Sequence, residues 1–202
     1  DAITLHSVLA DLKREGANKV VREVSSHALD QGRTAGVAFD VAGFTNLSHE
    51  HLDYHGNIDS YAEAKQRLFH MPSLRYAIIN QDDAFGRRLI ESQLNNLPEQ
   101  VPATLQVLSY GFDQDADIRA TARRFDADGF ELQVSTPWGE GILVSSLLGR
   151  FNASNLLAVL TTLLLMDMPL DQALVALGRV SAVHGRMEHF GGTAGQPLVV
   201  VD

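Results

Sequence analysis

The stretch YAIINQDDAFGRRLIESQLNNLPEQVPATLQVLSYG, residues 76–111, decides the fold class. It begins with a short apolar run at 76–80, continues with a helical pattern at 82–96 whose first turn is acidic, and ends with a second strand-like run at 105–111. Acidic residues favour the start of a helix because the aligned amide dipoles make that end positive. A strand, a helix and a strand in succession indicate a parallel sheet with helices packed against it.

The same alternation extends towards the first residue. Apolar residues at helical spacing over 3–12, followed by Gly16 as a C-cap, predict a first helix. KVVREV at 19–24 is predicted to be a short buried strand, and GVAFDVAGFTN at 36–46 a second strand. A further helix is predicted at 59–70.

The pattern changes after about residue 112. Three strand-like segments, DIRATARRF, FELQVST and GILVSSL, are joined by the turn sequences DADG and WGEG. They predict an antiparallel meander at about 113–148, which we expect to form a small sheet beside the first. Helices return at 152–166 and 170–180, and PLVVV at 197–201 is a final strand. The predicted fold class is therefore α/β, a mostly parallel sheet flanked by helices with a small antiparallel subsheet.

Composition narrows the function classes. The 202 residues are 45% hydrophobic and 20% charged, as in globular proteins, and the formal net charge of -9 argues against a nucleic-acid partner. There is no cysteine, so disulfides and thiolate metal sites are excluded. No apolar run approaches the roughly 20 residues of a membrane span, and no signal peptide leads the sequence, so we expect no membrane insertion and a cytoplasmic location.

The two ends predict a segment of a longer chain. The sequence begins at Asp1, without a methionine and inside a helical pattern. It stops at Asp202, directly after the apolar strand PLVVV. We expect one α/β domain with neighbours on both sides.

The segment HEHLDYHGNIDSYAEAK, residues 49–65, ends in a lysine. The S-x-x-E pattern from Ser60 to Glu63 predicts that a helix starts near Ser60. Lys65 then lies on or beside the apolar face of that helix, at helical spacing from Tyr61, Leu68 and Phe69. Lys65 either extends its charge outwards from the edge of this face or is a desolvated amine of lowered pKa. Such an amine could be a nucleophile, a base, or an acceptor of CO₂ that becomes a carbamate.

The three histidines of this segment suggest a zinc site. His49, His51 and His55 have the spacing His-x-His-x₃-His, but a catalytic zinc also needs converging geometry and supporting contacts. The alternative is that most of them are solvated or cap the next helix.

Polar residues follow the predicted strand at 19–24 in EVSSHALDQGR, residues 23–33. Glu23 stands at the carboxyl end of that strand, where ligands of α/β sheets bind, so it is either a metal ligand or base, or simply the start of a loop. Three further residues either hold an anionic substrate or face solvent: Ser25, Gln31 and Arg33.

Two later motifs could contact a nucleotide. LLGRFNASNLLAVL opens a helix that has Asn152 and Asn155 in its first turn. Either one of the two asparagines is the N-cap, or a side-chain amide reads a base or sugar. Arg186, in HGRMEHF, could clamp a phosphate or form a surface ion pair. The sequence contains no G-x-x-x-x-G-K-[ST] phosphate loop, so a nucleotide site would need that element from elsewhere.

Four segments together resemble the Mur ligases, most closely the MurE group: EVSSHALDQGR, FTNLSHEHLDYHGNIDSYAEAKQRLF, LLGRFNASNLLAVL and GRMEHF…PLVVVD. The resemblance implies the central domain of an ATP-dependent amide ligase of peptidoglycan precursor synthesis. It implies ATP and Mg²⁺ as cofactors, and UDP-N-acetylmuramoyl-L-Ala-D-Glu and a diamino acid as substrates. Meso-diaminopimelate is favoured over L-lysine, and the reaction proceeds through an acyl phosphate.

The resemblance also implies roles for single residues. The metal ligands, which are also the catalytic residues, are Glu23, His51 and Lys65 as a carbamate. The substrate is held by Ser25, Gln31 and Arg33. ATP is held by Asn152, Asn155, Arg186 and Asp202, with Asn155 at the base and Asp202 near the ribose. His49 and His55 then become bystanders.

Other functions stay open. Full-length relatives carry a phosphate loop before, and a C-terminal domain after, the part that this sequence matches, so the 202 residues alone are expected to be inactive. Another ligase of the superfamily, such as folylpolyglutamate synthetase, would use the same ATP residues. A non-catalytic binding or assembly module and a histidine-zinc protein are the remaining alternatives, and the oligomeric state is open.

Overall fold

The computed structural model describes residues 1–47, 52–95, 105–182, 188–191 and 198–201. Its helices are α1 Ala2–Arg14, α2 Ser26–Asp30, α3 Leu52–His55, α4 Ile58–Gln66, α5 Ala84–Asn95, α6 Arg150–Leu165 and α7 Leu170–Leu177, with a 3₁₀ helix at Arg67–His70. Its strands are β1 Val41–Phe44, β2 Tyr76–Asn80, β3 Gln106–Gly111, β4 Ile118–Asp126, β5 Gly129–Thr136, β6 Gly139–Ser145, β7 Glu188–Gly191 and β8 Leu198–Val201. Within these ranges, no helix combines the length and the apolar character that crossing a membrane requires.

Six strands form one sheet in the order β1-β2-β3-β4-β5-β6, and β7 pairs with β8 in a second, two-stranded antiparallel sheet. β3 and β4 are parallel, whereas β4, β5 and β6 form an antiparallel meander. The α/β class with an antiparallel subsheet is confirmed. The expectation of a separate small sheet is wrong, because β4 pairs with β3 and so continues the main sheet.

The chain divides into two compact units. Unit 1 comprises residues 1–42, 46–77 and 91–107, and unit 2 comprises residues 43–45, 78–90 and 108–202. The boundaries pass through β1, β2 and β3, so each unit takes part of these three strands.

The first helix of unit 1 is capped at both ends. The Asp1 side chain accepts a hydrogen bond from the Thr4 backbone N–H at 2.8 Å, as an N-cap does. At the other end Glu15 is the C-cap, and the next residue, Gly16, has φ +91°, a conformation that glycine adopts without strain. Gly16 therefore follows the cap that it was predicted to form.

The predicted buried strand at 19–24 is wrong. These residues are irregular, and Val20 and Val21 are 48% and 82% exposed. A strand needs a neighbouring strand to pair its backbone groups, and no such pairing involves this segment in the part of the chain that the structure describes. The Val-rich composition alone therefore did not decide the conformation.

β1 is shorter than the strand predicted at 36–46. Gly36 has φ +77°, and the Phe39 backbone N–H donates to Ser73 Oγ at 2.9 Å, while Ser73 Oγ–H donates to the Phe39 carbonyl at 3.0 Å. Before β1 begins, the backbone groups of Phe39 are therefore hydrogen-bonded to a serine side chain instead of to a partner strand.

α4 starts earlier than the S-x-x-E pattern predicted. Asn57 is extended, at φ -154°, and its side-chain oxygen accepts the Ser60 backbone N–H at 2.8 Å. Asn57 is therefore the N-cap, and Ser60 lies within the first turn. The buried side of α4 and of the 3₁₀ helix supplies much of the core of unit 1: Tyr61, Ala62, Ala64, Leu68 and Phe69.

The core of unit 2 lies among the sheet, α6 and α7. Its fully buried side chains include Ile118, Phe130, Leu132, Leu143, Leu157 and Leu160. α7 lies directly on β6, because a Cβ built on Gly141 would come within 2.4 Å of Leu174 Cδ1. α7 ends at Leu177, before the predicted 180, and Gly178 is its C-cap.

Polar groups at the ends of β2 and β3 tie the loops of unit 2 together. The Asp82 carboxylate accepts the backbone N–H groups of Phe112 and Asp113 at 2.9–3.0 Å. Beneath it, Tyr110 is buried, and burial, followed by the charges of Asp82 and Asp83, raises the pKa of its phenol above the ordinary value. These bonds fix the strand ends from which the loops depart.

Candidate functional site

A cleft of about 620 Å³ in unit 1 contains three of the predicted site residues. One wall is the apolar side of α1, formed by Leu5, Val8, Leu9 and Leu12. The other wall carries polar groups, among them Glu23, Ser25 and Arg33. A cleft with one apolar wall and a few converging polar groups is a common form of ligand site.

The polar residues of this cleft are available to a ligand to different degrees. Glu23 and Arg33 are exposed side chains on irregular backbone. Ser25 is the N-cap of α2, and its Oγ accepts the Ala28 backbone N–H at 3.2 Å. Its hydroxyl hydrogen can still donate to an acceptor, because that bond uses only an oxygen lone pair.

Gln31 does not line the cleft, and its amide is engaged within the protein. Its Nε2 donates to the Tyr54 hydroxyl at 3.1 Å, and that hydroxyl donates to Asp30 Oδ2 at 3.0 Å. Arg67 donates to the other oxygen of Asp30 at 2.9 Å. The hydrogen bond from Tyr54, together with that from Arg67, holds the pKa of Asp30 below its usual value.

Lys65 lies beside the buried face of α4, as the spacing predicted. It is half-buried, and its Nζ lies 5.1 Å from the ring centroid of Tyr61, one turn earlier on the helix. Tyr61 is only 4% exposed. The lysine side chain therefore rests against a fixed aromatic surface while part of it meets solvent.

His55 is half-buried and held by contacts within unit 1, and it is not a helix cap. Its Nε2 is 2.9 Å from Ser26 Oγ, and its ring stacks on Tyr61 with centroids 5.3 Å apart and an interplanar angle of 24°. His27 and Tyr54 lie against the same ring, with centroids 5.4 Å and 4.8 Å away. Sequence reasoning missed this cluster, although the dense alternation of histidine and tyrosine before α4 could have drawn attention to it.

The described residues bring together no group of three histidine, aspartate or glutamate side chains that could hold a metal. His49 and His51, two of the three histidines of the possible zinc pattern, lie outside those residues, as do Arg186 and Asp202. The metal roles considered for His49 and His51, and the phosphate and ribose roles of Arg186 and Asp202, stay predictions.

In unit 2, two of the four predicted ATP residues, Asn152 and Asn155, occupy the first turns of α6. Gly149 is the N-cap, at φ +86° and without a side-chain cap, so the alternative that an asparagine caps this helix is wrong. Asn152 is half-buried and donates to the Leu148 carbonyl at 2.9 Å. Asn155 is exposed, so its amide can present a donor and an acceptor to the edge of a base.

Comparison with known proteins identifies the relatives of this chain. Residues 1–163 match the Mur ligase middle domain. The chain is 47% identical to the UDP-N-acetylmuramoyl-L-alanyl-D-glutamate–2,6-diaminopimelate ligase of Ectopseudomonas mendocina, over 100% of this chain and 40% of that protein. It is 44% identical to the ligase of the same name from Chromobacterium violaceum, over 100% of this chain and 39% of that protein.

A solved structure agrees with these matches. A structure of a UDP-N-acetylmuramoyl-L-alanyl-D-glutamate–2,6-diaminopimelate ligase superposes with a TM-score of 0.84 at 37% identity, covering 95% of this chain and 38% of that one. The chain thus spans about 40% of the length of the curated relatives that it matches. By its sequence and its fold, this chain belongs to the Mur ligase family.

Proposed function

We propose that this chain is the central part of an ATP-dependent ligase that joins diaminopimelate to UDP-N-acetylmuramoyl-L-Ala-D-Glu in the cytoplasm. The observation that supports it most is identity of 44–47% along the whole chain to proteins named for this reaction. The names of these relatives specify 2,6-diaminopimelate, which favours this diamino acid over L-lysine, and we take the meso form as the substrate.

The proposed reaction has two steps. An oxygen of the D-Glu carboxylate attacks the γ-phosphorus of ATP, the bond to the bridging oxygen breaks, and ADP leaves. The amine of diaminopimelate then attacks the acyl carbon of the resulting acyl phosphate, phosphate leaves with the bonding electrons, and the nitrogen loses a proton. Both steps move negative charge on phosphate groups, so fixed cations and hydrogen-bond donors accelerate them.

The cleft of unit 1 suits the anionic peptide substrate. Arg33 supplies a positive charge and five N–H donors, which match a carboxylate or a phosphate. The hydroxyl hydrogen of Ser25 offers a further donor on the same wall. We assign these residues to substrate binding, together with Gln31, whose amide orients the Tyr54 hydroxyl.

Glu23, His51 and a carbamylated Lys65 are the residues that we assign to Mg²⁺. Carbamate forms when the lone pair of a neutral Lys65 amine attacks the carbon of CO₂ and the nitrogen releases a proton to solvent. The product presents oxygen atoms, and Glu23 adds an exposed carboxylate, which is the donor type that Mg²⁺ prefers. When bound, Mg²⁺ neutralises phosphate charge.

The ATP site is assigned to α6 and to the segment near the end of the chain. Asn155, exposed on α6, reads the base, whereas Asn152 holds the start of the helix through the Leu148 carbonyl. Arg186 and Asp202 are assigned to the phosphates and the ribose. The two asparagines, three residues apart, therefore have different proposed tasks.

This division of tasks gives the first prediction. In a full-length protein that carries this chain, Asn155→Ala should raise KM for ATP about tenfold, the value of one good hydrogen bond, and leave KM for the UDP-linked substrate unchanged. Asn152→Ala is the matched control and should lower the melting temperature instead. Steady-state kinetics with each substrate varied in turn, and thermal unfolding, measure both. An unchanged KM for ATP in the Asn155 variant would exclude Asn155 from the base site.

A further inference from the structure

We propose that His55 is a positioning residue, which holds Lys65 in place through Tyr61. The inference rests on the proposed role of Lys65 in the ligase reaction, and it assigns a task to a histidine that the family resemblance left as a bystander. The residues that carry it form one cluster, here called the His55 cluster: Ser26, His27, Tyr54, His55 and Tyr61.

The His55 cluster joins three helices of unit 1. Ser26 and His27 belong to α2, Tyr54 and His55 to α3, and Tyr61 to α4. α2 lies in EVSSHALDQGR, the motif from which the substrate roles were inferred, whereas α3 and all but the last residue of α4 lie in HEHLDYHGNIDSYAEAK, the segment that ends in Lys65. A shift of α2 or α3 is therefore transmitted to α4 through ring contacts rather than through the backbone alone.

The imidazole of His55 is fixed at its edge and at its face. Ser26 is 2% exposed, and its hydroxyl lies 2.9 Å from His55 Nε2, so a buried polar group depends on this contact. Tyr61 stacks on the ring at 5.3 Å, and Tyr54 meets it edge-on at 4.8 Å and 81°. Aromatic pairs in such offset or edge-on arrangements attract each other beyond the area that they bury.

Tyr61, which is held by His55, in turn restricts the side chain of Lys65. The two residues are four apart on α4, so their side chains lie on the same face, and Lys65 Nζ is 5.1 Å from the ring centroid. The attraction of the ring for a cation belongs to the ammonium form. In the carbamate form, the ring still packs against the methylene stem and limits its rotation.

A lysine has a long, flexible stem, so its terminal group needs such a surface to act at one point. A misplacement of about 1 Å in a reacting arrangement can cost on the order of 100-fold in rate. Histidine suits position 55 because one ring provides both the stacking surface and the nitrogen for Ser26. Phenylalanine would keep only the stacking, and alanine would keep neither.

The test uses the full-length protein with His55→Ala, His55→Phe, Tyr61→Phe and Tyr61→Leu and, as a matched control, His6→Phe. His6 lies on α1, outside the cluster, and its Nε2 is 2.9 Å from the Ala35 carbonyl oxygen. Each protein is equilibrated with ¹³C-bicarbonate, Mg²⁺ and ATP, and the Lys65 carbamate is measured by ¹³C NMR. Ligation kinetics and thermal unfolding are measured on the same samples.

We expect His55→Ala to lower the carbamate signal at least about fivefold and kcat by about 10- to 100-fold, while KM for ATP stays within twofold. His55→Phe should recover a large part of both losses, and His6→Phe should match the wild type. A purely structural role would instead lower the melting temperature of both His55 variants without a selective loss of carbamate or kcat. If His55→Ala does not fold, the remaining variants replace it in the test. His55→Phe and Tyr61→Phe keep the ring contacts, and they are compared with Tyr61→Leu, which removes the ring of Tyr61.

Three results would overturn the inference, and they differ in what else they remove. A carbamate signal and kcat that are unchanged in His55→Ala and Tyr61→Leu would leave the ligase function intact and remove only the positioning role. A wild type that ligates without any carbamate would remove the role of Lys65 and, with it, that of His55. A wild type without ligation would remove the proposed function itself.

Discussion

Replacing Lys65 with alanine is expected to lower the ligation rate at least about 100-fold in a full-length protein that carries this chain. The reason is that Lys65 is the single lysine of α4, so the helix offers no second amine that could form the carbamate. Loss of a metal-positioning group typically costs 10- to 100-fold, and loss of the ligand itself costs more. Added bicarbonate should raise the activity of the wild type and leave the variant unchanged.

The matched control for this variant is Lys19→Ala. Lys19 is exposed, lies in the same unit and carries the same charge, so its removal should change ligation by less than about twofold. Both variants should unfold at nearly the same temperature as the wild type, since Lys65 is itself partly exposed. Full ligation by Lys65→Ala would exclude Lys65 from catalysis, whether or not it is carbamylated.

Gly86→Ala is expected to destabilise the protein by roughly 3 kcal/mol or more, although alanine normally favours a helix by about 1 kcal/mol over glycine. Gly86 lies within α5, and a Cβ there would come within 1.9 Å of the Asn80 carbonyl oxygen and 3.3 Å of Phe44 Cε1. The first of these atoms is backbone at the end of β2, which has no freedom to move aside. The substitution must therefore push α5 away from the sheet.

Gly43→Ala provides the comparison for this prediction. Gly43 lies in β1, and a Cβ there would meet no atom within 4 Å, so this substitution should change the free energy of unfolding by less than about 1 kcal/mol. Urea unfolding of both variants, followed by circular dichroism, measures the difference. Equal stability of the two variants would show that α5 does not pack against β2 as described.

The sequence predicted the elements whose signals are local. β2 was predicted at its observed bounds, Tyr76–Asn80, because an apolar run followed by aspartates and a helical pattern leaves little ambiguity. The turns at Asp126–Gly129 and at Gly139 were also predictable, since glycine at positive φ closes each of them. These features depend on neighbours within a few residues.

The failures depend on distant residues. The segment at 19–24 has the composition of a strand, but strand formation needs a partner that composition does not reveal. The start of β1 depends on Ser73, which is 34 residues from Phe39 in the sequence. The S-x-x-E pattern predicted the start of α4 near Ser60, whereas the extended backbone of Asn57 makes that residue the cap.

The candidate site divides in the same way. The position of Lys65 beside a buried helical face followed from spacing alone. Glu23, Ser25 and Arg33 belong to one sequence motif, and all three line the same cleft. The contact of His55 with Ser26 spans 29 residues, and no local pattern predicts it. The engagement of Gln31 by Tyr54, 23 residues away, is likewise a property of the folded chain.

The most direct test of the account is a product assay with the full-length protein. The protein is incubated with ATP, Mg²⁺ and UDP-N-acetylmuramoyl-L-Ala-D-Glu, and receives meso-diaminopimelate, L-lysine or no amino acid; a folate with glutamate is supplied in a parallel reaction. Mass spectrometry should show the UDP-linked tripeptide with meso-diaminopimelate, together with one ADP for each product formed. Ligation of glutamate to the folate instead would assign the chain to another ligase of the family, and no product with any acceptor would contradict the proposed function.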